Sequence, residues 1–377
     1  MQAINDAVQP VLDDLVSRDV ERGLQVAAYL DGELVLDAWA GLADATTDRH
    51  VDGDTLFVAF SCGKGVVAAA THLMADRGQI DYDEAVMKYW PDFGASGKHA
   101  ITVRQVLAHT AGVPHLPPGT TPEDLLDWDR VCAGIATLTP VWEPGTRTGY
   151  HARTLGFILG EVIRRIDGAR RSFDQFVRAE LLGPLGIEDM YFGLPEVLES
   201  RTARLEDAPA LELPPLPPGS LMPLVFPPNL PPTAALWDQP AMHRACVPSS
   251  GGIMNARSLA RLYAALACGG TLDGVRIMSS ERIALATQLQ TDEVDAVIGM
   301  PVRKALGFFL SDEWSPMGSR TGAFGHPGSG GSIGFADPAQ RFAFALTKTR
   351  LVNTLAPGTD AAWLVAHAAR SALGLTQ

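Results

Sequence analysis

Strand-forming runs lie at both ends of this 377-residue chain, and helical periodicity fills the span between them. Leu24 to Leu30 and Leu34 to Trp39 are β-rich runs separated by Asp31-Gly32-Glu33, which reads as a hairpin. Strand-like runs return only after about Pro301, at Ala305 to Ser311, Ser332 to Ala336 and Arg341 to Lys348, with Ala336-Asp337-Pro338-Ala339-Gln340 as a turn. Neighbouring strands joined by short turns run antiparallel, because a parallel pair needs a long crossover. The pattern therefore predicts an α/β (α+β) fold: an antiparallel sheet built from both termini and flanked by helices, with a mainly helical lobe inserted. The body is expected to take residues 1–70 and 300–377, and the lobe 71–299. A ligand site is expected in the cleft between them.

Apolar residues recur at helical intervals at Val8, Val11, Leu12, Leu15 and Val16, so an amphipathic helix is expected over Val8 to Asp19. From Ser61 small and apolar residues run to Met74 and stop at Gly78, which predicts a helix starting at or near Ser61. Thr102 to Ala108, Pro122 to Leu138, Ala152 to Arg165, Phe173 to Leu182 and Ala256 to Cys268 read as helices, and Thr359 to Leu373 as a closing one. Ten of the 27 prolines fall between Pro209 and Pro232, a density that opposes both a helix and a central strand. That segment is too apolar for a solvated linker and is expected to pack across the body as a long ordered loop.

With 46% hydrophobic and 19% charged residues the chain can bury a sizeable core. Its 43 acidic and 30 basic residues, formally −13, argue against a nucleic-acid surface, which needs clustered positive charge. No apolar run approaches the ~18 residues of a membrane span. Met1 to Arg22 carries Asp6, Asp13, Asp14, Asp19 and Glu21, where a secretory signal would be basic and then apolar. Cys62, Cys132, Cys246 and Cys268 form no CxxC pair and no metal-ligand spacing. The expectation is a reduced, cytoplasmic protein with no metal and no cofactor, its oligomeric state open.

Chemistry is concentrated in three places. The first is Ser61-Cys62-Gly63-Lys64. On a helix, residues three apart share a face, so Lys64 can reach the Ser61 hydroxyl. A serine hydroxyl needs an adjacent base to be a nucleophile, and a lysine serves if burial and a helix N-terminus hold its pKa down. Only five of the 30 basic residues are lysine, and Lys88, Lys98, Lys304 and Lys348 have no serine in that relation. Alone, the pair fits an ordinary helix cap and a solvated charge equally well. The second place is Gly149-Tyr150-His151-Ala152, where a tyrosine on a turn entering a helix can present its hydroxyl to a cleft or bury it against backbone. The third is Phe324 to Ser332, whose glycines let backbone N–H groups approach a ligand, as an oxyanion site requires, or simply form a turn.

Taken in order, Ser-x-x-Lys near the start, Tyr in the middle and His-x-Gly before a late strand resemble the serine β-lactamase and penicillin-binding-protein superfamily, and within it the class C β-lactamase-related esterases (family VIII carboxylesterases). Val106 to Gly112, Trp142 to Thr146, Pro248 to Ala265 and Gly328 to Pro338 carry the same resemblance, which spans about Leu24 to Thr349. It implies a β-lactamase/transpeptidase-like fold with Ser61 as nucleophile and Lys64 and Tyr150 as its proton-handling pair. The N–H groups of Ser61 and Ser329 would form the oxyanion hole, with His326 and Gly328 beside the substrate. Which of Lys64 and Tyr150 is the base stays open.

Two departures bear on substrate. Where many of these β-lactamases have Tyr-x-Asn, the third residue here is Ala152, and where they have Lys-Thr-Gly this chain has His326-Pro327-Gly328. A largely neutral histidine holds a carboxylate less well than an ammonium. Both weigh against turnover of β-lactams or D-alanyl peptides and leave ester chemistry intact. The expected activity is a serine carboxylesterase acting on a small or medium apolar ester. A transacylase using an ester or thioester donor and the same acyl-enzyme is the alternative, and a non-catalytic scaffold is a third reading. Four tempting groups are read as structural: His109 as a cap on helix carbonyls, His151 as pointing away from Tyr150, Cys62 as a small buried hydrophobe, and Glu143 as a surface turn residue. Arg164-Arg165 and Arg170-Arg171 read as solvated faces.

Overall fold

The computed structural model describes residues 1–209, 216, 218–313, 315–319, 322–351 and 360–376. Seven strands form the central sheet: β1 (Gly23–Leu30), β2 (Glu33–Asp44), β3 (Arg49–His50), β4 (Phe309–Leu310), β5 (Phe324–Pro327), β6 (Ile333–Asp337) and β7 (Phe342–Lys348). Their spatial order is β4-β5-β6-β7-β1-β2-β3, antiparallel throughout. The first and last long strands thus lie side by side, with Val26 opposite Leu346 and Ala28 opposite Phe344. The β1–β2 hairpin turns on Asp31 and Gly32 at φ 52° and 86°, the two left-handed residues a tight primed turn requires. This is the mixed α/β architecture that the placement of the strand runs predicts.

Both faces of the sheet are covered, and residue size decides what covers each. Side chains alternate across a strand. On β7 and β6 the large residues Phe342, Phe344, Leu346, Ile333 and Phe335 meet Val8, Leu12 and Leu15 of α1 (Gln2–Ser17) and Val365 and Ala369 of a closing helix at Ala361–Ala372. The small residues Ala343, Ala345, Gly334 and Ala336 face the other way, towards a helix at Ala256–Ala267. A Cβ on Gly334 would stand 2.6 Å from the Tyr263 ring and 2.7 Å from Leu259, so glycine sets how closely that helix can approach. Its far side belongs to the larger apolar core, which also contains α2 (Gly63–Asp76) and α3 (Thr154–Ile166).

Several expected elements are shorter or divided. Ala305 to Ser311 yields only β4, because Gly307 turns left-handed at φ 80° and interrupts the run. Pro122 to Leu138 divides where Asp127 leaves helical geometry and caps a new helix, Trp128–Thr137, by accepting the Arg130 N–H at 3.0 Å. Phe173 to Leu182 ends in a π-turn over Arg178–Leu182. Within the proline-rich segment Met222–Val225 does make one helical turn, since Pro223 sits in its first positions, where no N–H is missed. Residues 210–215 and 217 of that segment, and Thr359 at the expected start of the closing helix, lie outside the described residues. Among the described residues no helix is long and apolar enough to cross a membrane.

Candidate active site

Ser61 sits in the short link between the strand Phe57–Phe60 and α2. The residue before it, Phe60, is left-handed at φ 48°, a conformation that is strained for an aromatic residue. Burial and an edge-on contact with Trp237, centroids 5.5 Å apart, hold Phe60 there. Ser61 does not cap the helix; Cys62 occupies that position and makes no side-chain cap bond. The Ser61 hydroxyl is therefore free to face the interior of the site. Gly63 is forced by packing, since a Cβ would lie 2.2 Å from the Pro248 carbonyl oxygen.

As the second residue of α2, Lys64 is fully buried rather than solvated, and its Nζ lies 3.0 Å from Ser61 Oγ. The same nitrogen lies 2.6 Å from the Ala152 carbonyl oxygen and 2.9 Å from that of Ser249. Burial pushes the amine well below the ordinary lysine range, and the Arg153 charge pushes in the same direction. Tyr150 comes from the turn before α3 and donates its hydroxyl to Ser61 Oγ at 2.9 Å. Burial raises the Tyr150 phenol above its ordinary value, against the Ser61 bond. Lys64 Nζ also stands 4.7 Å from the Tyr150 ring centroid. The structure thus gathers Ser61, Lys64 and Tyr150 around one hydroxyl.

His326, Gly328 and Ser329 reach the same place from β5. A Cβ on Gly328 would lie 2.3 Å from the Ala59 carbonyl oxygen, so the end of β5 passes directly against the link carrying Ser61. Ser329 follows in a tight turn with Gly330 and Gly331 at φ 84° and 104°. His326 is 1% exposed, its ring stacks on Tyr150 at 6.0 Å, and its Nδ1 donates to the Pro327 carbonyl at 2.7 Å. Burial holds it well below the ordinary imidazole range, so it is neutral, and any proton on Lys64 acts in the same direction. A cleft of about 490 Å³ opens beside the trio rather than over it. Its lining includes Gly328, Gly330 and Gly331, together with Phe309 and Ile298, which also pack with the Tyr150 cluster.

Two groups near Tyr150 escape the sequence reading. The His109 backbone N–H does donate to the Val106 carbonyl at 3.1 Å at the end of the helix Val103–Leu107, but its side chain caps no helix carbonyl. At φ 61° it turns its Nδ1 to accept the His151 N–H at 2.9 Å, and its ring lies 5.2 Å from that of Tyr150. The second is a buried ion pair between Lys304 and Asp295, 2.7 Å apart and both fully buried. Asp295 Oδ1 accepts the N–H of Tyr150 at 3.1 Å and those of Val297 and Ile298 at 2.8 Å. Lys304 also donates to Thr148 Oγ1 at 2.8 Å. No local spacing announces this pair, and the sequence reading set Lys304 aside because it has no serine three residues before it. His151 turns away from Ser61 as expected, donating from Nδ1 to the Gly149 carbonyl and accepting the Val113 N–H at Nε2. Cys62 is buried, its thiol pushed up to about 12 by burial. Among the described residues no group of His, Cys, Asp and Glu is placed to hold a metal ion.

Comparison with known proteins gives this geometry a family. The family model described as Beta-lactamase matches residues 12–369. The esterase/beta-lactamase LipL of Mycobacterium tuberculosis is 35% identical over 345 residues, 88% of this chain and 78% of that protein. Among solved structures, a family VIII carboxylesterase superposes with a TM-score of 0.90 at 34% identity, covering 98% of this chain and 97% of that one. A penicillin-binding-protein homologue from Caulobacter crescentus gives a TM-score of 0.88, also at 34% identity, covering 98% and 97% of the two chains. A match along nearly the whole chain, with a Ser-x-x-Lys pair and a tyrosine meeting at one hydroxyl, places this protein in the beta-lactamase family as a serine hydrolase.

Proposed function

We propose that the protein is a carboxylesterase that cleaves small or medium apolar acyl esters through an acyl-enzyme on Ser61. The observation that carries this reading is the bonding of Lys64 Nζ, which has the Ala152 and Ser249 carbonyls and the Ser61 hydroxyl as its three neighbours. A neutral amine has two N–H bonds and one lone pair. The two carbonyls take the N–H bonds, since a carbonyl only accepts, and the lone pair is left for the Ser61 proton once that hydroxyl turns from the Ser249 carbonyl 3.3 Å away. Lys64 is then the base, and Tyr150, whose phenol burial keeps protonated, is the acid.

In the proposed cycle Ser61 gives its proton to Lys64 as Oγ attacks the ester carbonyl. The N–H groups of Ser61 and Ser329 receive the developing oxyanion. Tyr150 protonates the departing alcohol oxygen, and the Lys64 ammonium restores the phenol. Water then clears the acyl group by the same steps in reverse. Ester rather than lactam substrates are favoured by Ala152, which offers no side-chain amide, and by His326, which is neutral and buried and so supplies no cation for a substrate carboxylate. The similar LipL is named as an esterase/beta-lactamase and the similar solved structure as a family VIII carboxylesterase, so both names include esterase activity.

Hydrolysis of p-nitrophenyl esters of increasing acyl length, with Ser61→Ala as the control, tests the reading. Turnover of the shorter esters is expected, falling by about 10²- to 10⁴-fold or more in the variant. Equal rates for the two proteins would remove Ser61 from the mechanism.

A further inference from the structure

The proposed cycle makes no use of a second buried ion pair, which lines the cleft beside Ser61. Glu21, in the link between α1 and β1, and Lys348, at the end of β7, are 1% and 4% exposed, and the amine donates to Glu21 Oε1. Among the described residues that oxygen is the one hydrogen-bond partner of the amine, and Glu21 Oε2 has none. An ammonium carries three N–H bonds and a carboxylate accepts at both oxygens, and a buried pair offsets its desolvation only when those sites are used. Here two N–H bonds and a whole carboxylate oxygen are left over. The rest of the cleft wall is mainly apolar, with Phe309, Leu310, Met317 and Ile333 in it. Its other charged residues, Arg303, Asp312 and Asp360, are half-buried or exposed, where water screens them.

Two contacts relate this pair to the reaction. The Gly331 N–H donates to the Gly328 carbonyl at 3.1 Å, closing the turn that carries Ser329, and a Cβ on Gly331 would stand 3.3 Å from Lys348 Nζ. The amine therefore abuts the turn that offers the oxyanion donor. Phe309, on the cleft wall, has its ring 5.9 Å from that of Tyr150. The cleft thus runs on the side of the acid that protonates the departing oxygen, so the alcohol half of the ester belongs there rather than the acyl half. A group that meets both members of the pair must donate to Glu21 Oε2 and accept from Lys348 Nζ, and a hydroxyl does both. The pair is neutral as a whole, so a charged group gains from one member what it loses to the other, and its desolvation is not offset.

We infer that Glu21 and Lys348 form a specificity site for the leaving alcohol: they select esters of diols and polyols, holding a second, uncharged hydroxyl of the alcohol while Ser61 attacks the carbonyl. The inference rests on the roles of Ser61 and Tyr150 proposed above.

The test keeps the acyl group fixed and varies the far end of the alcohol. Propyl, butyl and pentyl butyrate are set against the monobutyrates of the propane-, butane- and pentanediols with terminal hydroxyls, and against counterparts ending in a carboxylate or a trimethylammonium group. Acid release at constant pH gives kcat/KM for each. In the wild type the hydroxyl ester should exceed its alkyl partner by about tenfold or more at the chain length that reaches the pair, and should exceed both charged counterparts. Glu21→Leu combined with Lys348→Met replaces the pair by apolar groups and should bring that ratio to one or below. A wild-type ratio near one at every length, a preference for the carboxylate tail, or a ratio that survives in the double variant overturns the inference. If the double variant shows no cooperative unfolding transition, the wild type decides alone: a ratio peaked at one length supports a fixed site, and a ratio uniform across lengths refutes it. Cleavage of p-nitrophenyl esters but of none of this series also refutes it, whereas cleavage of neither refutes the Ser61 reading instead.

Discussion

Lys64 is the residue at which activity and stability pull apart. Burial depresses its pKa first, with Arg153 adding to the effect, so between that depressed value and the ordinary 10.5 the folded chain binds fewer protons here than the unfolded chain. Stability in that window rises with pH, which means that the site subtracts from stability at neutral pH and that the deficit fades as pH nears 10.5. Lys64→Met, close in length and uncharged, should lose about 10²- to 10⁴-fold in ester turnover and yet unfold at a higher temperature at pH 7, by about 1–2 °C for each kcal/mol recovered. The difference should shrink towards pH 10; calorimetry at the two pH values checks it, and a lower midpoint at pH 7 would mean that the three bonds of the amine outweigh its desolvation. This residue was legible in the sequence because its relation to Ser61 is set by one turn of helix. His109 was not, because its contact with Tyr150 depends on a left-handed backbone at φ 61° that no neighbouring residue signals.

At the scale of elements, the segment 291–304 acts as a clamp on the turn that carries Tyr150. Isolated bridges join Thr291 to Lys304 and Val294 to Pro301, and the Ala296 N–H donates to the Thr148 carbonyl at 2.9 Å. Asp295 and Lys304 then fix Thr148 and the Tyr150 N–H from inside this loop. Lys304→Met leaves a buried carboxylate uncompensated and should cost about 3–5 kcal/mol, with kcat falling further than KM changes because Tyr150 is no longer held. Adding Asp295→Asn removes the charge and keeps an oxygen for the three N–H groups, so the double variant should regain most of the stability and the kcat of the wild type. Urea unfolding and steady-state kinetics on both proteins check this; a double variant no better than the single one would show that the charges matter beyond mutual compensation. Helices such as α1 and α3 were readable from periodicity, and α2 from its run of small and apolar residues that stops at Gly78. This clamp was not, since its parts lie 145 residues apart in the bond from Tyr150 to Asp295 and its hold comes from one carboxylate rather than from a pattern.

For the whole molecule, what matters is that the ends of the chain meet in the middle of the sheet. β1 and β7 pair along their length, and Ser61, Tyr150, Ser249, Asp295 and His326 come into one set of contacts from far-separated positions. Such a site forms only when the long-range pairings form, so its loss on heating should coincide with loss of the sheet. Phe344 tests this from a distance. It is fully buried in the cluster that α1 and the closing helix make on one face of the sheet, apart from the core containing α2. Its ring lies 5.3 Å from that of Phe335, and replacing it with alanine should cost about 3–5 kcal/mol. If the molecule unfolds as one unit, Phe344→Ala lowers the midpoints of esterase activity, near-ultraviolet and far-ultraviolet circular dichroism together, by several degrees and by the same amount. KM at 25 °C should stay within about twofold of the wild type, since no atom of the pocket is touched. Activity lost well below the sheet transition would instead mean that the helical region carrying Tyr150 opens on its own, and that residues 71–299 fold as a unit separable from the sheet.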